Sequence, residues 1–229
     1  MSIDSDKTIS IIIPVYNEAS TIDRLIDNLE QFKASCEIIF VDGGSQDGTS
    51  GIIEEKYRLV HSPRKGRSHQ MNVGAALATG EILLFLHSDS LLPGDALKRI
   101  QEIISRGYNA GCFKIKFQSR SMLMKICGFM SNARVKFRNI AFGDQGIFIS
   151  KSYFYELGGF PELPIMEDYQ LSMNIKAKGD KIALANTKLA TSERRFLKNG
   201  RLRTMMRMQR LQSMYRKGKS ISEIADLYR

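Results

Sequence analysis

The chain has 229 residues, 43% hydrophobic and 25% charged, a size and balance that suit one buried core and exclude a disordered or fibrous protein. Cys36, Cys112 and Cys127 are widely spaced and form no C-x-x-C pair, which excludes a zinc finger and fits buried thiols in a reducing compartment. Net charge is +10, and residues 191–219 hold ten of the basic residues against one acid, Glu193; the rest is near neutral, which argues against a protein that coats nucleic acid over its whole surface.

The N-terminal MSIDSDKTIS carries two aspartates and no apolar run, so it is not read as a signal peptide. The longest apolar run, Ile82 to Leu86, has five residues, far below the roughly 20 needed to span a bilayer. A cytoplasmic location is therefore expected, with peripheral membrane association as a second expectation.

Residues 8–13, TISIII, have the unalternating β-branched pattern of a strand buried on both faces, and Pro14 is expected to end its ladder. Apolar Ile22, Leu25, Ile26 and Leu29 recur at helical spacing over 19–32. Strands are expected at 36–42, 57–61 and 81–87, with helices at 46–56, 66–78 and 93–105 between and after them. This alternation predicts a mixed, mostly parallel sheet flanked by helices. The second half predicts strands at 110–118, 145–149 and 181–186, helices at 121–136, 150–157 and 167–178, and then basic helical stretches. No linker interrupts the chain. Residues 1–190 are expected to form one domain, dividing near residue 107 into a regularly alternating and a less regular half, with 191–229 a basic helical extension packed on it.

Ligands of open α/β sheets bind beyond the carboxyl ends of the strands. Those ends carry PVYNE (14–18), DGGSQDGT (42–49) and HSD (87–89). One such segment alone reads as a turn; three on one edge read as a site. The Gly43-Gly44 pair completes neither a dinucleotide fingerprint nor a P-loop. Acids in that place suit recognition of a base and ribose, with a metal handling phosphate.

IIIPVYNE, VDGGSQDGT, the aspartate motif after the fourth strand and a later MED together resemble family-2 glycosyltransferases of the GT-A fold. GRSHQMNVGA, FLHSD, FGDQGIFIS, GGFPELPIMED and TSERRF resemble its bacterial arsenosugar-biosynthesis or selenodomain-associated branch. The resemblance runs along almost the whole chain. It implies an inverting transferase that uses a nucleoside diphosphate sugar, most simply a UDP-sugar, and an acceptor hydroxyl. It places Pro14, Tyr16, Glu18, Asp42 and Gly44 around the nucleotide, with Arg67 near the phosphates; the neighbouring Arg64 and Lys65 fit a solvated loop almost as well. His87 is expected near the ribose or diphosphate, and Asp89 as ligand to Mg2+ or Mn2+, hard cations that take oxygen donors. Most of the family has D-x-D where this chain has His87-Ser88-Asp89. Asp168 is implied as general base with Glu167 supporting it, although two acids at a helix start also suit the dipole. Asp144 and Gln145 are assigned to the acceptor side, and Arg194 and Arg195 to the diphosphate, with Phe196 where relatives carry tryptophan.

Leu202, Met205, Met206, Met208 and Leu211 alternate with arginines, a stripe that suits packing on the domain or docking on an anionic membrane. YRKGKSISEIADLYR resembles the opening of a helix-turn-helix, but no recognition helix follows Ile221–Arg229, so no specific nucleic-acid partner is expected. The enzyme-level alternative is a nucleotidyltransferase, whose Gly-rich basic loop after the first strand is replaced here by PVYNE.

Overall fold

A computed structural model describes residues 7–228; the stretch weighed above as a signal peptide begins in, and the helix-turn-helix comparison ends on, residues outside this range. In chain order the elements are β1 (Ile9–Val15), α1 (Ile22–Leu29), β2 (Glu37–Asp42), α2 (Thr49–Glu54), β3 (Arg58–His61), α3 (Arg67–Leu77), β4 (Ile82–Phe85), β5 (Ser90–Leu91) and α4 (Ala96–Ser105). They continue as β6 (Ala110–Phe117), α5 (Met122–Arg138), β7 (Ile147–Ser150), α6 (Lys151–Glu156), α7 (Glu167–Ala177), β8 (Ile182–Thr191), α8 (Arg194–Asn199), α9 (Arg201–Arg216) and α10 (Ile221–Tyr228).

The strands form one sheet in the order β3-β2-β1-β4-β7-β6-β8-β5. β3, β2, β1 and β4 are parallel, β7 runs against β4 and β6, β8 is parallel to β6, and β5 opposes β8. Every residue of β1 is buried because both faces are covered. Ile11 and Ile13 pack with Leu25 and Ile26 of α1 and Ile100 of α4. Ile12, on the other face, packs with Met71 and Ala75 of α3, Phe154 of α6 and Leu171 of α7. Close approach of α3 requires Gly74, whose added Cβ would stand 2.4 Å from Ile12 Cγ2 and 3.1 Å from Val41 Cγ2.

Several expected boundaries move. Pro14 does not end β1; it lies within it, in register with Val41. The Ile12 carbonyl accepts from Leu86 N and the Val15 carbonyl from Gly43 N, so the even positions of β1 face β4. That ladder has ended by Pro14, and its missing N–H breaks no bond. α2 starts at Thr49 rather than 46, since Gly48 is left-handed (φ 90°) and the Asp47 carboxylate accepts from Thr49 N at 3.1 Å. β5 was not expected, and β8 runs to Thr191 instead of 186, past a bulge opposite Phe113/Lys114. The basic segment after β8 forms α8, α9 and α10. Leu211, Ile224 and Ala225 bury against Ile140, Ile165, Met166 and Tyr169, which ties the tail to the start of α7.

Candidate active site

Beyond the carboxyl ends of the central strands lies a cavity of about 550 Å³, with Arg67, His87, Asp89, Asp144, Asp168 and Arg195 among its polar lining. Phe142, Ile165 and Met166, Met130 and Phe137 of α5, and Met205 and Met208 of α9 supply apolar wall. A smaller recess of about 290 Å³ adjoins it, lined by Thr21, Ser88, Asp89, Ser192 and Arg194. Asp89 and Ser192 line both.

Asp168 sits in the first turn of α7. Its Oδ2 accepts from Gly143 N at 2.8 Å and its Oδ1 from Tyr169 N at 2.7 Å. Burial, and then the neighbouring Glu167 charge, push its pKa up to about 6, against the pull of Arg67 and those two N–H donors. Glu167 is 1% exposed and is paired with Arg67, an arrangement that leaves Asp168, not Glu167, at the cavity wall. The residue before them, Met166, is buried at φ 68°, a costly conformation for a side chain and one found where surroundings over-determine the backbone.

His87 follows β4. Its Nε2 is buried without a hydrogen-bond partner among the described residues, and a Cβ on Gly143 would stand 2.4 Å from it. Burial, then the charges of Arg67 and Arg195, push its pKa down to about 3, so the imidazole is neutral near pH 7. Asp144 Oδ1 is likewise buried and unpartnered among the described residues. Burial raises the pKa of Asp144 against the attraction of Arg134, Arg67 and Arg195; burial raises that of Asp89 too, followed by the charges of Asp144 and Glu18.

Among the described residues no three His, Cys, Asp or Glu side chains form a ready metal cage. Asp89 and Asp144 nevertheless present hard oxygens to one cavity, Asp144 through an Oδ1 with no hydrogen-bond partner among the described residues and Asp89 through a carboxylate that takes a long 3.4 Å bond from Ser90 Oγ. That donor set fits a hard divalent cation which takes its other ligands from a diphosphate and water.

Other residues singled out in the sequence lie apart. Asp42 lines neither recess; it accepts from Gly44 N at 3.1 Å, Ser45 N at 3.0 Å and Ser45 Oγ at 2.5 Å. Burial works to raise its pKa, and these donors outweigh it and hold it low. The resemblance set Asp42 at the nucleotide, Asp89 at the metal and Asp168 at the acceptor of one site; the structure brings Asp89 and Asp168 to one cavity, and Asp42 lines neither recess. Pro14 is buried inside β1, Gly44 is exposed at φ 90°, and Tyr16 is exposed with Lys65 Nζ 3.6 Å above its ring. Glu18 takes both of its oxygens to Arg194 Nη2, at 3.0 and 2.9 Å, joining the end of β1 to α8. Arg194 and Arg195 therefore diverge, the first to the small recess and the second to the cavity, where its guanidinium lies 4.2 Å from the Tyr228 ring centroid. Gln145 is fully buried outside the lining and accepts from Arg134 Nη2 at 3.0 Å.

Arg134 escaped the sequence reading. It lines the cavity, 4.0 Å over the Phe142 ring, and its only signal was a cation, two residues before Lys136, amid the helix FMSNARVKF. Phe137 and Met130 were missed as well, since an apolar helix position reads first as core.

A parallel half of β1 to β4, an antiparallel strand β7 at its edge and acids beyond the strand ends define a GT-A architecture. The Staphylococcus aureus TarS fragment 1–349 in complex with UDP-GlcNAc superposes with a TM-score of 0.66 at 21% identity, covering 82% of this chain and 59% of that one. A Pyrobaculum calidifontis mannosyltransferase with GDP-Man and Mn2+ gives 0.64 at 22%, covering 82% and 58%. The chain belongs to glycosyl transferase family 2, whose model matches residues 10–158; this membership selects against the nucleotidyltransferase alternative. An uncharacterized glycosyltransferase of Nostoc sp. is 34% identical over 42% of this chain and 32% of its own length. One of Haemophilus influenzae is 25% identical over 73% and 61%. The Proteus mirabilis undecaprenyl-phosphate 4-deoxy-4-formamido-L-arabinose transferase is 25% identical over 60% and 46%. The chain thus spans between a third and three fifths of the length of these curated relatives.

Proposed function

We propose that this protein transfers a sugar from a nucleoside diphosphate sugar to an acceptor hydroxyl by single displacement with inversion, and that Asp168 is the general base. The observation that carries the reading is a carboxylate of raised pKa on the wall of the cavity that also holds Asp89 and Asp144. Asp168 removes the acceptor proton as that oxygen attacks the anomeric carbon, and the bond from that carbon to the diphosphate breaks with its electron pair leaving on the phosphate. Arg67 holds Glu167 aside and Gly143 N–H holds Asp168 in place. Asp89, with Asp144, would hold Mg2+ or Mn2+, which supplies positive charge to the leaving diphosphate; the manganese in the Pyrobaculum neighbour supports that choice. Arg195, on the same wall, adds a fixed positive charge.

The donor is a UDP-sugar by preference, supported by the UDP-GlcNAc bound to a fold neighbour and by the likeness of FLHSD and GGFPELPIMED to the arsenosugar-biosynthesis branch. Tyr16, Glu18, Asp42 and Gly44 form the candidate nucleotide edge, with Asp42 acting by shaping the turn. The mixed wall of Phe142, Met130, Phe137 and Met208 suits an acceptor with an apolar portion, in keeping with a relative named for undecaprenyl phosphate. Asp168→Asn should lower transfer by about 10²- to 10⁴-fold while nucleotide-induced thermal stabilisation persists. Unimpaired transfer by that variant would remove Asp168 from the mechanism.

A further inference from the structure

α5 carries apolar residues on two faces. Met124, Gly128, Ser131 and Val135 are buried toward the domain. Met122, Ile126, Phe129, Met130 and Phe137 follow at spacings of four, three, one and seven residues, which puts them on a single stripe, and all are exposed, Phe129 by 74% and Phe137 by 78%. A run of large side chains turned to solvent marks a contact surface rather than scattered surface hydrophobes. Met130 and Phe137 belong to this stripe and also to the wall of the active-site cavity. The stripe is therefore continuous with the cavity mouth.

Charge decides what covers it. Residues 118–143 contain no acid, and Lys125, Lys136 and Arg138 of α5 are exposed. α9 packs beside α5; across α8 and α9 the exposed Leu197, Leu202 and Met206 stand among Lys198, Arg203 and Arg210. A second copy of the chain meeting this face about a twofold axis would set like charges against each other. An anionic lipid surface complements both features, apolar residues entering the acyl boundary and cations meeting the headgroups. Among the described residues no helix is long and apolar enough to cross a membrane, so the contact is an interfacial one.

We infer that the α5 stripe docks this protein on an anionic bilayer with the cavity mouth turned toward the lipid. The docking surface extends the transferase reading by presenting the site to acceptors held at the membrane, and it rests on that reading only for this consequence. The test is co-sedimentation of the full chain with phosphatidylglycerol/phosphatidylcholine vesicles and with phosphatidylcholine alone, alongside the double variant Ile126→Glu/Phe129→Glu, neither residue lining the cavity. Expected are pelleting with the anionic vesicles, weakened by high salt, little with the neutral ones, and about tenfold or greater loss of binding in the variant. The variant should keep its helical circular dichroism and its thermal shift with UDP, and Asp168→Asn should pellet like the parent chain. Absence of pelleting by the parent chain, or equal pelleting by the folded variant, overturns the proposal while leaving sugar transfer untouched. A dimer that the same substitutions dissociate, without lipid binding, overturns it in favour of self-association.

Discussion

At the scale of single residues, the site is a balance of charges held in or near the protein interior. Asp168 has its pKa raised to about 6, while a solvated or unfolded aspartate stays at the ordinary value. The fold therefore binds this proton more tightly than the unfolded chain does. Its ionisation costs stability that is progressively lost as pH climbs from about 4 through 6. Asp168→Asn loses one of the two backbone N–H bonds at every pH, but its stability relative to the parent chain should improve as pH rises through that window, since only the parent titrates there, as read by urea midpoints at several pH values. Activity moves oppositely, because a base must be unprotonated: kcat/KM should fall about tenfold per pH unit below 6. A flat profile between pH 5 and 7 would contradict the assignment. Arg67 and Glu167 form the other residue-scale device, with Glu167 almost wholly buried and Arg67 one-third exposed. Arg67→Met would strand the carboxylate and cost about 2–3 kcal/mol, the low end for such pairs because Arg67 keeps some water. Adding Glu167→Gln should recover part of that loss in chemical denaturation.

At the scale of elements, β1, β2 and β4 were legible because each is built on an apolar run, and α1 and α4 because each has a clear stripe. The acids after β4 and at the start of α7 were legible because they stand at predictable strand and helix ends. β5 was not, since two residues carry no period; its partner Thr191 comes from a strand whose bulge displaces the expected end. The role of Asp42 was obscured by the turn itself: nothing in DGGS says whether the carboxylate faces a ligand or its own backbone. Glycines behave as spacers between elements. Gly74→Ala would drive α3 into Ile12 and cost about 1–3 kcal/mol, the usual range for overpacking, in the same denaturation measurement. Gly143→Ala acts elsewhere, pressing on His87 and the loop whose N–H holds Asp168, so it should depress kcat more than nucleotide affinity.

At the scale of the whole molecule, the basic tail is part of the architecture of the site. Its helices bury Leu211, Ile224 and Ala225 on Ile165, Met166 and Tyr169, and Tyr215 donates to Gln170 at 2.5 Å. Sequence pattern gave these helices a packing face but could not say that the face would lie against the start of α7, because that contact spans some forty residues and depends on the sheet between. Leu211→Ala should cost about 2–4 kcal/mol, as truncation of a fully buried leucine does, measured by thermal or urea unfolding. Its effect on turnover should exceed what the stability loss alone gives at assay temperature.

That contact makes the left-handed Met166 informative. Backbone preference alone would put glycine there, yet the methionine side chain is what the tail grips. Met166→Gly relieves the torsion and also releases the clasp, and with Leu211→Ala already in place the clasp is largely gone. The two changes should therefore be thermodynamically coupled, departing from additivity by about 0.5 kcal/mol or more in a double-mutant cycle. The geometry of the proton-accepting carboxylate would then be inherited from a helix more than forty residues downstream, so lesions there would masquerade as catalytic ones.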